Sequence, residues 1–189
     1  MSSKDRARWD QHYRETADRA FPPPDPLLLD YTPAVENPTQ PPRALDLAAG
    51  LGQNGLWLAA QGYVTDVMDI SRVALSRARV EMSSRNLRTV NLLQVDLDAL
   101  TLEHDTYDLI CVFRYLKRDL FPLLRAAIKP GGRLIYETFN LQYLDRVPEF
   151  NVDFLIQGDE LKSLFEDWQI LRHSHITHVT QLVARKPRR

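Results

Sequence analysis

Cysteine and long hydrophobic runs are scarce in this chain, and each scarcity excludes a class of protein. Among the 189 residues the only cysteine is Cys111, which excludes an intrachain disulfide and a cysteine-rich zinc site. No apolar run approaches the roughly 20 residues that a membrane helix requires, and the first six residues lack the apolar stretch of a signal peptide. We therefore expect a cytoplasmic globular protein with no membrane partner.

An excess of charge of either sign is also missing. The chain has 24 lysine and arginine residues against 25 acidic residues, and four of the basic residues lie at positions 185–189. The rest of the chain is therefore acidic, whereas nucleic-acid-binding domains usually present a basic face. We expect a small-molecule substrate rather than a nucleic acid, a solubilising role for the basic tail, and a monomer or weak homodimer.

Proline is concentrated near the N-terminus, where eight of the 12 prolines lie between Phe21 and Pro42. This density excludes a long helix or a central strand there, and it predicts a linker holding one short helix that begins at Pro26. Residues 3–20 are charged and compatible with a helix. We interpret residues 1–43 as a helix and proline-rich lead-in packed on the core, and residues 44–189 as the main body of a single domain.

After residue 42, short apolar runs alternate with segments that have the period of a helix. The predicted strands are Ala44–Leu47, Val64–Met68, Asn91–Val95, Leu109–Phe113 and Arg133–Glu137. The predicted helices are Gly52–Gln61, Ser71–Arg85, Leu120–Ile128 and Asp159–Phe165. The alternation implies right-handed crossovers and a parallel sheet covered by helices on both faces.

The end of the chain follows a different pattern. The last two predicted strands, Trp168–Ser174 and Val179–Arg185, are separated by too few residues for a crossover helix and must pair as an antiparallel hairpin. Residues 130–132, Pro-Gly-Gly, predict a helix stop and a tight turn into the fifth strand. The predicted fold class is therefore α/β: a doubly wound, mostly parallel seven-stranded sheet of the Rossmann-like type with a C-terminal antiparallel hairpin.

The turn after the first predicted strand carries the pattern G-x-G-x-x-G over Gly50–Gly55, and Asp69 lies 19 residues after Gly50. This combination is typical of dinucleotide sites, where the glycines admit a phosphate and the acid binds a ribose diol. Asp46, within the strand itself, argues against a nicotinamide cofactor because a carboxylate there repels an anion. A carboxylate beside the loop suits a cationic ligand such as S-adenosylmethionine.

Five segments, in order, resemble the motifs of class I S-adenosylmethionine-dependent methyltransferases. Residues 46–52 are similar to D-x-G-x-G-x-G with alanine in place of the first glycine, and residues 69–71 and 96–97 resemble the ribose-binding and adenine-binding segments. Residues 107–110 and 129–132 resemble the fourth strand and the segment before the fifth. The cofactor-binding residues that this resemblance implies are Trp9, Tyr13, Asp46, Ala48, Gly50, Gly52, Asn54, Asp69, Ile70, Ser71, Asp96, Leu97 and Phe113.

Other details are similar to the small bacterial methyltransferases grouped with tellurite-resistance enzymes. These are Trp9-Asp10 followed by Tyr13, Gly52-Gln53-Asn54, and Arg114-Tyr115-Leu116. The resemblance implies an N-terminal helix that folds over the cofactor, with Trp9 or Tyr13 near its methionine end. An ordinary contact between this helix and the core is the alternative.

Arg114 and Tyr115 follow the fourth predicted strand, at the edge where open α/β sheets bind ligands. We predict them as catalytic residues, with Arg114 orienting an acidic or oxyanionic substrate; an ion pair with a surface acid is the alternative. The expected reaction is in-line methyl transfer to a small-molecule acceptor, which mainly requires positioning. An RNA methyltransferase and a non-catalytic S-adenosylmethionine-binding subunit are the competing hypotheses.

Three further features have no place in this interpretation. His173, His175 and His178 invite a metal site, but the first two project from one face of a hairpin strand and we interpret them as solvated, with no metal predicted. Asp66 lies within the second strand, where a buried carboxylate needs a partner that the sequence does not identify. The segment 140–157 carries aromatic residues and is predicted to determine substrate specificity.

Overall fold

A computed structural model describes residues 3–37 and 39–188. The chain forms two compact units, of which the first ends at Thr101 and the second begins at Leu102. Seven strands form a mixed, mostly parallel sheet, three of them in unit 1 and four in unit 2, which confirms the predicted fold class. Within the described residues, every helix is too short or too polar to cross a membrane.

Unit 1 alternates strands and helices after its N-terminal lead-in. Its elements are α1 (Ser3–Glu15), α2 (Pro26–Tyr31), β1 (Arg43–Leu47), α3 (Gln53–Ala60), β2 (Val64–Asp69), α4 (Arg72–Ser84) and β3 (Val90–Gln94). The strands are parallel in the order β3-β2-β1. Four of the five β1 residues and five of the six β2 residues are buried, as expected for strands covered on both faces.

Asp66, the carboxylate within β2, has the partners that its burial demands. One oxygen accepts a hydrogen bond from Arg43 Nη2 on β1 at 2.8 Å, and the other accepts one from Asn91 Nδ2 on β3 at 2.7 Å. Both donors come from the strands that flank β2 in the sheet. The carboxylate therefore links three strands across one face of unit 1.

Unit 2 contains the second half of the alternation and the hairpin. Its elements are β4 (Tyr107–Phe113), α5 (Phe121–Ala127), β5 (Ile128–Phe139), α6 (Glu160–Ser163), β6 (Gln169–Ile176) and β7 (Val179–Arg185), with 3₁₀ turns at 118–120, 141–145 and 152–154. Strands β4 and β5 are parallel, whereas β7 pairs antiparallel with both β5 and β6. The predicted antiparallel hairpin is confirmed.

Strand β5 begins at Ile128, five residues before the predicted start at Arg133. The sequence predicts a turn at residues 130–132, but these residues form a bulge inside the strand, where Gly131 has a φ of +82°. Gly131 N donates to Lys186 O and Lys186 N donates to Gly132 O, each at 2.9 Å. Pairing with the end of the chain, which no local pattern reveals, therefore extends the strand.

Candidate functional site

The turn after β1 has an unusual backbone that glycine makes possible. Ala48, Gly50 and Gly52 all have positive φ values, of 55°, 57° and 74°. Ala49 N donates to Met68 O of β2 at 3.0 Å, and Gly52 N donates back to Ala49 O at 2.9 Å. The turn is therefore held against β2, and Ala48 adopts a conformation that is strained for a residue with a side chain.

Asp46 holds the far end of this turn from within β1. Its side chain is 1% exposed, and Oδ2 accepts a hydrogen bond from Gly55 N at 2.7 Å. A Cβ atom on Gly55 would overlap Val67 Cγ2 and lie 3.1 Å from Asp46 Cβ. The third glycine of the pattern thus allows α3 to pack closely on the sheet, and Asp46 fixes where α3 begins.

Asp69, the last residue of β2, holds the near end of the turn. Its Oδ2 accepts from Gly50 N at 2.7 Å and its Oδ1 accepts from Ser71 N at 2.8 Å. Burial raises the pKa of this carboxyl to about 6. The backbone N–H of Ile70 also stabilises the charged form. A carboxylate has about four lone-pair sites, so Asp69 retains the capacity to accept a further hydrogen bond.

Ile70 and Ser71, the other two predicted residues beside Asp69, are both buried. Ile70 is 6% exposed, and Ser71 is fully buried at the N-cap of α4, where its hydroxyl oxygen accepts from Ala74 N at 3.1 Å. The same hydroxyl donates to Asp10 Oδ1 at 2.7 Å, and Asp10 also accepts from Val73 N at 3.2 Å. Asp10 therefore connects α1 to the first turn of α4.

Trp9 and Tyr13 lie on α1 with their rings stacked at 6.1 Å. A Cβ atom on Gly50 would lie 2.5 Å from the Tyr13 hydroxyl, so this ring covers the glycine turn. Burial, followed by the charge of Asp69, raises the pKa of the Tyr13 phenol, which keeps the hydroxyl protonated. Tyr13 therefore lies against the glycine turn. This position is the one expected if the N-terminal helix folds over the cofactor.

Asn54, on α3, pairs its side-chain amide with Asp25. It is 2% exposed, its Oδ1 accepts from Asp25 N at 2.8 Å, and its Nδ2 donates to the Asp25 carboxylate at 3.0 Å. This buried pair joins the proline-rich lead-in to α3. The sequence predicts only the short helix that begins at Pro26, so the link from Asp25 to Asn54 is a finding of the tertiary structure.

Asp96 and Leu97 follow β3 and differ in exposure. Asp96 is exposed and its Oδ1 accepts from Asp98 N at 2.9 Å, whereas Leu97 is 2% exposed. Val95 N donates to Asp69 O at 3.0 Å, which ties the end of β3 to the end of β2. Of the residues predicted for the cofactor in unit 1, those of the glycine turn, Asp69 to Ser71, and Asp96 and Leu97 lie at or after the carboxyl ends of three neighbouring parallel strands. Trp9 and Tyr13 lie on α1, and Asn54 lies on α3.

The remaining predicted site residues belong to unit 2. Phe113 is the buried last residue of β4, and Arg114 follows it with a φ of 55°. Arg114 N donates to Glu137 O at 2.7 Å, and its guanidinium lies 3.6 Å from the Glu137 carboxylate. Tyr115 is half-buried, and its carbonyl accepts from the Tyr136 hydroxyl at 2.7 Å. Arg114 therefore pairs with a buried acid on β5 rather than with the surface acid of the alternative interpretation, and the catalytic roles stay predictions.

The segment 140–157 contains an aromatic cluster. The rings of Phe139 and Tyr143 stack with centroids 4.0 Å apart, and Phe150 meets Tyr143 edge-on at 5.0 Å. His178 lies 5.7 Å from the Tyr143 ring, and Phe154 is half exposed. An apolar surface is present here, and its part in specificity stays a prediction.

The donors and acceptors in unit 1 fit S-adenosylmethionine. Gly50 and Gly52 present backbone without a side chain, and Asp69 offers carboxylate oxygens to which hydroxyl groups can donate. A ribose diol has two such hydroxyls. The acidic character of the site, with Asp46 at its base, suits a cation better than a pyrophosphate.

Sequence and structure comparisons point in the same direction. Residues 30–183 match the family described as "Tellurite resistance protein TehB". The chain is 29% identical over 157 residues to "Hemagglutinin 1" of Eikenella corrodens, covering 77% of this chain and 51% of that protein. It is 27% identical over 143 residues to the "Probable S-adenosyl-L-methionine-dependent methyltransferase TehB" of Haemophilus influenzae, covering 71% of this chain and 48% of that protein. The chain thus spans about half the length of these curated relatives.

The fold is shared with a solved structure from the same group. The crystal structure of TehB from Haemophilus influenzae superposes with a TM-score of 0.73, covering 94% of this chain and 67% of that chain at 18% sequence identity. At this identity the superposition shows a common fold. Family membership rests on the match over residues 30–183.

Proposed function

Because the chain belongs to the tellurite resistance protein TehB family, we propose that it transfers a methyl group from S-adenosylmethionine to a small-molecule acceptor. The observation that carries the proposal is the position of Asp69. Its carboxylate is bonded to the backbone of the glycine turn at Gly50 and to the start of α4 at Ser71, at 2.7 and 2.8 Å. The glycine turn and the start of α4, which both contribute to the proposed cofactor site, therefore meet at the Asp69 carboxylate.

Four residues of unit 1 have different roles in holding the cofactor. Asp69 accepts hydrogen bonds from the ribose hydroxyls, each of which contributes about 1.5–3 kcal/mol when the acceptor is charged. Asp46 acts through Gly55 N by keeping the glycine turn open, and it is a positioning residue. Tyr13 covers Gly50 from α1, and Asp10 holds α1 in place through Ser71.

When bound, S-adenosylmethionine supplies a methyl group on a sulfonium, and its departure leaves a neutral thioether. The chain's own contribution is to hold the acceptor in line with that methyl group, which can amount to roughly 7–11 kcal/mol. A general base is needed only for an acceptor that is protonated at working pH. We propose a soft nucleophile as acceptor, either a thiolate or a reduced chalcogen anion.

Calorimetric titration with S-adenosylhomocysteine, with NAD in parallel, tests the cofactor. We expect micromolar binding of S-adenosylhomocysteine and none of NAD. Asp69→Asn should weaken this binding, whereas Asp30→Asn, an exposed carboxylate on α2, is the matched control and should not. Binding of NAD alone, or of neither ligand, contradicts the proposal.

Transfer of a labelled methyl group to thiols, reduced chalcogen anions and bulk RNA tests the acceptor. Labelling of a small soft nucleophile supports the proposal. Labelling of RNA alone favours the RNA methyltransferase hypothesis, and binding of S-adenosylhomocysteine with no labelled acceptor favours a non-catalytic subunit.

A further inference from the structure

In unit 2, Asp159, just before α6, lies beside two histidines of strand β6. His173 and His175 alternate along β6 and therefore share one face of the strand, with ring centroids 4.9 Å apart and planes at 82°. Asp159 Oδ1 lies 3.7 Å from His173 Nδ1 and 3.7 Å from His175 Nε2. One ligand atom from each of these side chains lies within 4.8 Å of the other two.

These distances approach those of a metal centre. In a tetrahedral zinc site with bonds of about 2.0–2.1 Å, two ligand atoms are about 3.3–3.4 Å apart. The two aspartate-to-histidine distances exceed this by only a few tenths of an ångström. The Asp159 side chain is 68% exposed, so it can close that gap by rotation.

The polar groups around the cluster also favour metal coordination. Asp159 is the N-cap residue of α6, yet within the described residues its side chain makes no capping hydrogen bond and faces the histidines instead. His175 Nδ1 is 2.9 Å from the hydroxyl of Thr180, which is fully buried on β7. Such a contact on one ring nitrogen orients the other toward a metal.

His173 differs from the solvated residue that the sequence predicts. Its side chain is only 14% exposed, and its Nε2 is buried without a hydrogen-bond partner among the residues that the structure describes. The interpretation of His173 as solvated was wrong, because most of its side chain is shielded from solvent.

We propose that Asp159, His173 and His175 form a binding site for a divalent transition-metal ion, with Zn²⁺ as the expected ion. Two imidazoles and one carboxylate suit such an ion, whereas Mg²⁺ and Ca²⁺ prefer oxygen ligands alone. Water completes the fourth position, on the exposed side of the cluster. The ion would connect the loop before α6 to strand β6, which are separate in the sequence.

This site is independent of the proposed methyl transfer, and its test needs no activity. The untagged chain, first stripped with a chelator, is titrated with Zn²⁺ and separately with Mg²⁺ by calorimetry. We expect one equivalent of Zn²⁺ to bind in the micromolar range or tighter, and Mg²⁺ not to bind. Co²⁺ should bind competitively and develop the visible absorption of a tetrahedral site.

Variants identify the ligands. Asp159→Asn and His175→Gln should each weaken Zn²⁺ binding about tenfold or more, and both positions are exposed enough for the fold to tolerate the change. His104→Gln, an exposed histidine of the same unit, is the matched control and should bind as the wild type does. No Zn²⁺ binding by the wild type, or wild-type affinity in both Asp159→Asn and His175→Gln, would overturn the proposal.

Discussion

The glycine turn of unit 1 is held by two carboxylates and the cluster of Asp159, His173 and His175 in unit 2 contains one, but different groups lie beside them. Around the turn, Asp46 and Asp69 accept hydrogen bonds from backbone N–H groups at 2.7–2.8 Å. In unit 2, Asp159 faces two histidines of β6 at 3.7 Å, which is beyond hydrogen-bonding distance. Backbone hydrogen bonds therefore hold the turn in shape, whereas the separations in unit 2 leave the space that the proposed ion would occupy.

The comparison predicts that unit 1 tolerates a change in its turn far less well than unit 2 does in its loop. Gly55→Ala places a Cβ against Val67 and should lower the free energy of unfolding by about 1–3 kcal/mol, together with a loss of S-adenosylhomocysteine binding. Gly158→Ala is the matched control, because no atom lies within 4 Å of the added Cβ and the φ of +42° is its only strain; we expect about 1 kcal/mol. Urea unfolding measures both, and equal effects would contradict the close packing of α3.

Two variants of β2 distinguish the role of Asp69 in ligand binding from the role of Asp66 in stability. Asp69→Ala should weaken S-adenosylhomocysteine binding about tenfold or more, since a charged hydrogen bond contributes about 1.5–3 kcal/mol. Asp66→Ala removes the bonds to Arg43 and Asn91 and should reduce stability while leaving affinity within about twofold. Calorimetry and thermal melting of both variants provide the test. An equal loss of affinity in the two variants would show that the effect is transmitted through the sheet.

The pH dependence of ligand binding also tests the role of Asp69, because burial raises the pKa of its carboxyl to about 6. A ribose diol donates to the ionised form, so affinity for S-adenosylhomocysteine should fall by up to about tenfold per pH unit below pH 6. The stability of the ligand-free protein should change in the opposite direction. The folded carboxyl takes up its proton more readily than the unfolded one, so this group reduces stability as the pH rises from about 4 to about 6. Titrations in Asp69→Asn should lose this dependence; a wild-type profile that is flat between pH 5 and 7 would contradict the assignment.

The smallest expected effect concerns the strained residue of the turn. Ala48 has a φ of 55°, where a side chain costs about 1–2 kcal/mol, and glycine loses about 0.4–1 kcal/mol through the unfolded state. Ala48→Gly should therefore raise the free energy of unfolding by about 0.5–1 kcal/mol. Asn86→Gly, at a φ of 57°, should change it by a few tenths at most, since asparagine tolerates this region. Chemical denaturation distinguishes the two, and destabilisation by Ala48→Gly would remove strain as the explanation.

Much of unit 1 follows from local patterns in the sequence. The short helix beginning at Pro26 and the alternation of β1, α3, β2 and α4 agree with the predicted elements to within one or two residues. The pattern over Gly50–Gly55 and the position of Asp69 predict one ligand site, and Gly50 N does donate to Asp69 Oδ2. Period and turn chemistry are local properties, so a short window contains the information.

Contacts between distant segments were not predictable in this way. Asp10 to Ser71, Asp25 to Asn54 and the bulge of β5 each depend on residues that lie far apart in the chain. The pairing of Trp9 and Asp10 ahead of Tyr13 was a signal for the first of these, but it does not identify the partner. Any exposed aspartate has the same local sequence properties as one that caps a distant helix.

The sequence by itself determined the fold class, the glycine turn and Asp69, the acid that is bonded to this turn. These features depend on residues close to one another along the chain. Tertiary structure alone decided which polar groups are satisfied and which are not. It provided Asp66 with partners from both neighbouring strands. It also buried His173 beside Asp159, since the packing of separate segments, rather than the identity of either one, sets the distance between their side chains.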